Sequence, residues 1–363
     1  MEMNETPMTT LERINTPPAQ TWNYLKTNDI TVQVPNVSRK GDVYFALPHL
    51  FDTIECGAGE AVTSWATSQA KDARYVEVRA GERRQEPIVV DVTTDAVTDT
   101  GIMVRSGAEV CVCVVAHATE PGTSAALVRI FVERDATLNL YEYVTGCADH
   151  THIQSVGIRA LRAAHVNVHQ YFLGAGTTVA GIATELAEET AKIDHVCRYL
   201  ARDADVLDLN HVVRQKGERT RADIFESGAL DGAAKKALRA TIDLVHGAKG
   251  AEGAELESVL VLSDDVTNKT MPVILCDEDD VAGNHGASIG SVGPEQIQYL
   301  RDRGLSVQEA EELYVRALFD EALICAPTPQ SRAAVLARAT DVLGSEVAND
   351  LVEGLGLGDA EEV

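Results

Sequence analysis

DDVAGNHGASIGSVGPEQIQYLRDRGLSVQEAEELYVRALF, residues 279–319, changes texture in its middle. Its first dozen residues mix acids, glycines and one histidine, His285, the pattern of a turn and a strand edge. From Pro294 the spacing becomes helical. Pro294 follows Gly293 and suits a first helical position, and Gly304 closes that short helix as a C-terminal cap. Ser306, with Glu309 three residues on, predicts a capping box that opens a second helix. Leu305, Ala310, Leu313, Ala317 and Leu318 form its expected apolar face. Two more helices are expected in SRAAVLARATDVL (331–343) and SEVANDLVEGL (345–355), before an acidic tail.

Upstream of this stretch helical periodicity is almost missing. From Tyr75 short strand patterns recur: YVEVRAG (75–81), PIVVDV (87–92), EVCVCVVAHA (109–118), ALVRIFVERDATLNLYEYV (126–144), and so on to LESVLVLSDDV (256–266). Small or acidic turn residues separate them. A sandwich, a barrel or a β-solenoid all satisfy that pattern. Asn-Gly and Asp-Gly hairpin turns are nearly absent apart from Asp231-Gly232, aromatics are only 5%, and Val, Ala, Leu and Ile dominate. These features tilt the reading toward stacked parallel strands, whose small β-branched residues form ladders from coil to coil. The lead-in is Thr- and Pro-rich, with one short helix expected over Ala19–Thr27, where Trp22 and Leu25 would dock onto something larger.

The chain has 363 residues and a formal net charge of −25. That charge repels phosphate backbones and anionic lipid, which argues against nucleic-acid and membrane partners. No apolar run approaches the ~20 residues that cross a bilayer, and the polar N-terminus does not read as a secretory signal. Seven cysteines without a Cys-x-x-Cys pair suit reduced thiols and a cytoplasmic home. There is no P-loop, no Gly-x-Ser-x-Gly elbow and no His-Glu-x-x-His, so any ATP would be hydrolysed by a partner.

Residues 279–319 resemble the C-terminal signature of the SufB/SufD iron–sulfur cluster assembly proteins. In that family an acidic DDV precedes Cys-x-His-Gly-Ala-Thr, a glycine, an aromatic-Leu pair, SRG and a helix containing Glu-Ala. The matching residues are Asp279-Asp280-Val281, His285-Gly286-Ala287-Ser288, Gly290, Tyr299-Leu300, Arg303-Gly304 and Glu309-Ala310. Thinner similarity reaches back to residue 75, through Gly81, Pro87, Asp194, His211, Gly228, Leu230 and Pro272. Gly283 stands where the family carries its cysteine. The N-terminal region is shorter than the family's helical one, which points to a SufD-like member.

The resemblance implies a mainly β fold: a right-handed parallel β-helix core (75–293) behind a short N-terminal cap (1–74), ending in a C-terminal helical domain (294–363). It implies a non-catalytic scaffold that pairs, through the β-helix end, with a SufB-like paralogue or with a second copy of itself. The C-terminal helices would dock a SufC-type ATPase, with Tyr299, Arg303, Leu313, Leu318 and Phe319 as candidate contacts. His285 becomes the candidate ligand for iron or a transient iron–sulfur cluster at the subunit interface. With Gly283 replacing the thiol, only nitrogen or carboxylate ligands are available there. Asp279 and Asp280 read as a solvated acidic turn that can also accept hydrogen bonds from ligands.

Other chemistry-bearing residues have plainer readings. Cys111 and Cys113 share one strand face with Val115 and His117; thiols beside an imidazole suit a soft metal, but small buried hydrophobes in a ladder are expected. His165, Asn167, His169 and Tyr171 share another face, read as the solvated outside of a coil. His195 and His211 are expected to make structural hydrogen bonds, and Cys276 and Cys325 to pack. The competing function, a solenoid enzyme acting on a polysaccharide, would need acids lined along a groove. Asp203, Asp205 and Asp208 are the nearest candidates.

Overall fold

The structure is a computed structural model that describes residues 7–20, 26–36, 45–71, 73–92, 96–174, 176–291 and 293–354. The helix expected over Ala19–Thr27, with Trp22 and Leu25, falls mostly outside the described residues. Strands β1 (Met8–Ile14) and β2 (Ile30–Pro35) pair antiparallel. A short 3-10 turn (His49–Thr53) and helix α1 (Glu60–Gln69) follow.

Sixteen strands then alternate between two eight-stranded parallel sheets. One holds β3 (Ala73–Val78), β5 (Val97–Val104), β7 (Gly122–Val132), β9 (His150–Ala160), β11 (Thr177–Leu186), β13 (Val206–Gln215), β15 (Lys235–Leu244) and β17 (Thr267–Cys276). The other holds β4 (Ile88–Val92), β6 (Glu109–His117), β8 (Thr137–Thr145), β10 (His165–Phe172), β12 (Lys192–Ala201), β14 (Arg221–Leu230), β16 (Ala251–Val261) and β18 (Val281–Gly290). Each strand pairs with the strand two along, so the chain winds as a parallel β-solenoid of about eight coils, the fold that the family resemblance implies and toward which the strand pattern tilts. Coil length varies, which hides the period in the sequence. Side-chain bonds between neighbouring coils join residues 27 apart at Ser106–Glu133 and 32 apart at Ser263–Asp231.

Inward-facing residues stack in register, for example Val112, Leu140 and Val168, all fully buried. Each coil repeats the burial of β-branched and Leu side chains, and these ladders form the main core. One file of turns closes with left-handed residues: Gly107, Asp135, Ala163, Thr190, Arg219 and Gly250. Their N–H groups donate to the carbonyl of the next coil, as Gly107 does to Arg134 at 2.9 Å. This device replaces the hairpin turns that the sequence lacks.

Both flanks are covered. Leu11, Ile14, Val62 and Trp65 of the N-terminal segment pack on outward residues Leu127, Ile153 and Val179. The cap thus lies along the side of the coil. It can lie flat because glycines face it: a Cβ on Gly181 would come within 2.3 Å of the Ala58 nitrogen, and one on Gly157 within 2.4 Å of the Glu55 carbonyl. Two buried ion pairs underlie this segment, Arg129–Asp99 at 2.8 Å and Arg239–Asp208 at 2.6 Å.

Helices α2 (Pro294–Arg301), α3 (Val307–Ile324), α4 (Pro329–Leu343) and α5 (Ser345–Gly354) follow the last strand. They do not extend the rod. Instead α3, α4 and α5 turn back onto the outer face of the second sheet, over Cys113, Tyr143, Tyr171, Leu200 and Ala229. Ser306 and Glu309 form the expected capping box. The buried face of α3 is rotated from the expected one: Ala310, Val315, Phe319, Ala322 and Leu323 are buried, whereas Leu313 is 44% exposed. Aromatic residues already standing on the sheet decide the orientation, since Phe319 joins the cluster around Tyr143 and Tyr171.

Candidate functional site at the open end of the coil

The two ends of the solenoid differ. At the first coil the inward residues of β4, Ile88, Val90 and Val92, are buried. Among the described residues both terminal coils leave one edge of each strand unpaired by another strand, β3 and β4 at the first coil and β17 and β18 at the last, so the ends differ in how far their inward residues are covered. The inward positions of β18 are Val281, Gly283, His285, Ala287 and Ile289, because they stand in register with buried Ala251, Gly253, Glu255, Glu257 and Val259. Val281 is half-buried, but His285 and Ala287 are exposed and Ile289 is 55% exposed. Exposed inward positions and unpaired strand edges are groups that another strand could cover.

His285 stands at the end of an inward file that runs Val168, His195, Ile224, Glu255, His285. Beneath it the aliphatic lumen gives way to a polar thread. His152 bonds Gln154 at 3.0 Å, and Gln154 donates to Glu142 at 2.6 Å. Gln170 also donates to Glu142 and, through its Oε1, contacts His195 Nε2 at 2.7 Å. The His195 and His211 rings lie 4.6 Å apart, and His211 Nδ1 meets Glu226 at 2.7 Å. Nearer the open end Lys236 pairs with Glu257 and donates to Thr270 at 3.0 Å, while Tyr199 donates to Glu257 at 2.8 Å.

Burial sets the protonation of this thread. It lowers His195 well below its ordinary value and holds His211 and His152 down at about 4, so all three are neutral at pH 7. Burial pushes Glu226 up to about 8, and burial plus the Glu226 carboxyl pushes Glu255 up to about 9. The facing carboxyls therefore hold protons at neutral pH.

Gly283 faces inward two residues before His285. A Cβ there would meet Ile274 at 3.3 Å and Leu244 at 3.4 Å. His285 can supply one ring nitrogen at this surface. Among the described residues no three His, Cys, Asp or Glu side chains are gathered to hold a metal ion.

The remaining candidates separate clearly. Asp279 and Asp280 belong to the β17–β18 turn, where both N–H groups donate to the Glu278 carboxylate, at 3.1 and 3.5 Å. Cys276, expected to pack, is exposed, because it faces inward on the uncovered coil. Cys113 is buried under α4 with its Sγ 3.7 Å from Thr328, whereas Cys111 is half-buried. Cys325 caps α3, half-buried beside the same cluster. His117 meets Thr145 at 2.7 Å. On β10, His165 and Asn167 bond Asp194 and Asn139 at 2.7 and 2.8 Å, but His169 stacks on Tyr141 and Tyr171 is buried on Tyr143. That face is covered by α3 at one end, so only part of it is solvated.

Of the proposed dock residues, Tyr299 is 57% exposed and holds Arg303 over its ring at 4.4 Å. Leu313 is exposed, Leu318 half-buried and Phe319 fully buried, so Phe319 contributes packing and is out of a partner's reach. Leu313 lines a groove of about 370 Å³ between α3 and α4–α5, with Leu262, Leu305, Val342, Leu343 and Val347. Asp203 and Asp205 shape the β12–β13 turn, where Asp205 accepts from Arg202 at 3.0 Å, whereas Asp208 is locked to Arg239 under the N-terminal segment. The three acids do not line one groove.

The polar thread and the flank ion pairs were missed in the sequence. Asp99 and Arg129 are 30 residues apart and Asp208 and Arg239 are 31 apart, one coil in each case. That recurrent spacing was the available signal.

A parallel solenoid with an exposed, histidine-bearing last coil and helices folded along its side is the architecture that the resemblance of residues 279–319 implies. The family description "SUF system FeS cluster assembly, SufBD core domain" matches residues 90–318. The chain belongs to that SufBD family. It is 34% identical over 99 residues to the iron–sulfur cluster assembly protein SufD of Bacillus subtilis, a match covering 27% of this chain and 23% of that protein. It is 25% identical over 305 residues to an iron–sulfur cluster assembly SufBD family protein of Mycobacterium leprae, covering 77% and 74% of the two chains. A SufBD family protein of Methanocaldococcus jannaschii is 26% identical over 136 residues, covering 38% and 42%. Among the described residues no helix is long and apolar enough to cross a membrane.

Proposed function

We propose that this chain is a non-catalytic scaffold subunit of the SUF iron–sulfur assembly machinery, pairing end-on with a SufB-type paralogue. The observation that carries this reading is the uncovered last coil, with two free strand edges, exposed Ile289 and exposed His285 on one cross-section. A second solenoid end laid on it would continue both sheets across the interface by strand addition. A second copy of this chain satisfies the same geometry, so the partner is settled by what co-purifies. Iron or a nascent cluster is the cargo. His285 offers it one nitrogen ligand, and the partner must supply the rest, because Gly283 carries no thiol.

The groove beside Leu313 is the place for a SufC-type ATPase. Its apolar floor of Leu262, Leu305, Val342 and Val347 is rimmed by Glu309, Glu311, Glu312 and Arg316. That composition suits a helix laid in a groove. The test is co-purification from the source cell, followed by cluster assembly with His285→Ala in the complex. Recovery of a paralogue and an ATPase, with assembly reduced about tenfold or more, supports the reading. Unchanged assembly removes His285 as a ligand, and failure to recover either protein removes the scaffold.

A further inference from the structure

Glu255 stands directly behind the candidate ligand. It faces inward on β16, in register with His285 on β18, so the two Cα atoms are about 4.8 Å apart and both side chains leave the same face of the sheet. Glu255 is 2% exposed, whereas His285 is exposed on the last coil. The other neighbour of Glu255 in this file is Ile224, which carries no polar side-chain atom.

The polar groups of the thread around Glu255 are already committed. His211 Nδ1 meets Glu226 at 2.7 Å, His195 meets Gln170 at 2.7 Å, and Lys236 serves Glu257 and Thr270. Glu255 keeps one link, an O–H donated to the Glu226 carboxyl. Its own oxygens receive no N–H or O–H from any described residue. A buried carboxyl oxygen without a donor is costly, because it has given up its hydrogen bonds with water. Asn268 on β17 also has both amide atoms unpartnered among the described residues, but it stands in register with Lys236, on the Lys236–Glu257 side of the lumen. Of the two neighbours of Glu255 in its file, only His285 carries an N–H.

We propose that Glu255 is a positioning residue for His285: its carbonyl oxygen accepts one ring N–H and holds the imidazole as a single neutral tautomer. This deepens the reading of His285 as a ligand and rests on it. His285 is exposed, so its ring is free to turn onto that oxygen about its own side-chain bonds. The two ring nitrogens lie on opposite sides of the imidazole. One bonded down the file leaves the lone pair of the other facing out of the coil, toward the cargo. A carboxyl behind a ligating histidine fixes which nitrogen is bare and raises its basicity.

The test uses the full chain labelled with 15N at histidine, with the His285 signals assigned by their loss in His285→Gln. At a pH where the ring is neutral, the expected spectrum shows two widely separated His285 nitrogens, one protonated and one bare. Glu255→Leu should collapse them to the average of exchanging tautomers, while His152, deeper in the lumen, keeps its own signals. Glu255→Gln should keep the split, because its amide still donates to Glu226 and its carbonyl still accepts. In the complex with a SufB-type partner, cluster assembly should fall about tenfold in Glu255→Leu and recover in Glu255→Gln. Averaged His285 nitrogens in the unmutated chain overturn the proposal, whether or not any variant folds. So does a split that survives Glu255→Leu, which would assign the acceptor elsewhere, or one lost equally in Glu255→Gln, which would mean a disturbed strand. Assembly unchanged by Glu255→Leu overturns the positioning role as well. The ring spectrum needs neither partner nor cargo. If the split depends on Glu255 while His285→Ala assembles clusters normally, the contact holds and it is the ligand reading that fails.

Discussion

Glu226 and Glu255 make the chemistry of the lumen depend on pH. Their carboxyls are raised from the ordinary 4.5 to about 8 and about 9, so above pH 4.5 the folded chain holds protons that the unfolded chain has lost. Their contribution to stability is complete below pH 4.5 and disappears as pH climbs through 8 and 9. The buried histidines act in the other direction. His152 and His211 fall from 6.5 to about 4, so their contribution is present above 6.5 and is lost as pH falls through 4. Urea midpoints measured between pH 5 and 9.5 should therefore decline on the alkaline side, and Glu226→Gln/Glu255→Gln should flatten that decline. An unchanged alkaline slope would place the loss elsewhere. Gly283 gives a second residue-scale prediction. Its neighbours Ile274 and Leu244 are flexible side-chain ends 3.3 and 3.4 Å from a Cβ. Gly283→Cys should therefore cost about 1 kcal/mol or less, because the lost glycine entropy in the unfolded chain offsets mild crowding. It should add one inward thiol next to His285, readable by thiol titration of the folded protein.

The elements show where sequence reasoning reached and where it stopped. Strands and C-terminal helices were legible because period-2 patterns, the Ser306–Glu309 box and Pro294 are local signals. Their docking was not local. Whether α3 buries Leu313 or Phe319 depends on tyrosines from distant coils, so the apolar stripe alone selected the wrong edge. Likewise Gly157 and Gly181 read as ordinary strand glycines until the N-terminal segment is seen lying on them. Two substitutions separate packing from presentation. Phe319→Ala should cost about 3–5 kcal/mol in urea unfolding, as for other buried aromatics. Leu313→Ala, half exposed, should cost under about 1 kcal/mol yet weaken capture of the ATPase. Gly181→Ala should lift the N-terminal segment, since its Cβ would collide with backbone. Limited proteolysis should then cut before residue 70 while the coils stay resistant, and uniform resistance would show that the segment can shift without release.

At the scale of the molecule the solenoid is a rod with an exposed last coil and two dressed flanks. Its charge of −25 keeps such rods apart in solution unless a specific surface overcomes the repulsion. The family resemblance put the candidate ligand at the signature histidine, and the structure puts His285 on the uncovered cross-section. What no short motif could show is that the same cross-section exposes Ile289 and two free edges, or that an ion-paired, protonated thread lies one coil below it. The most direct test is hydrogen exchange of the full chain with and without a SufB-type paralogue. Pairing through the open end predicts strong protection of β18, Val281–Gly290, and of β17, with β3 at the other end unchanged. Protection at β3, or on the flanks with β18 still exchanging freely, would contradict it.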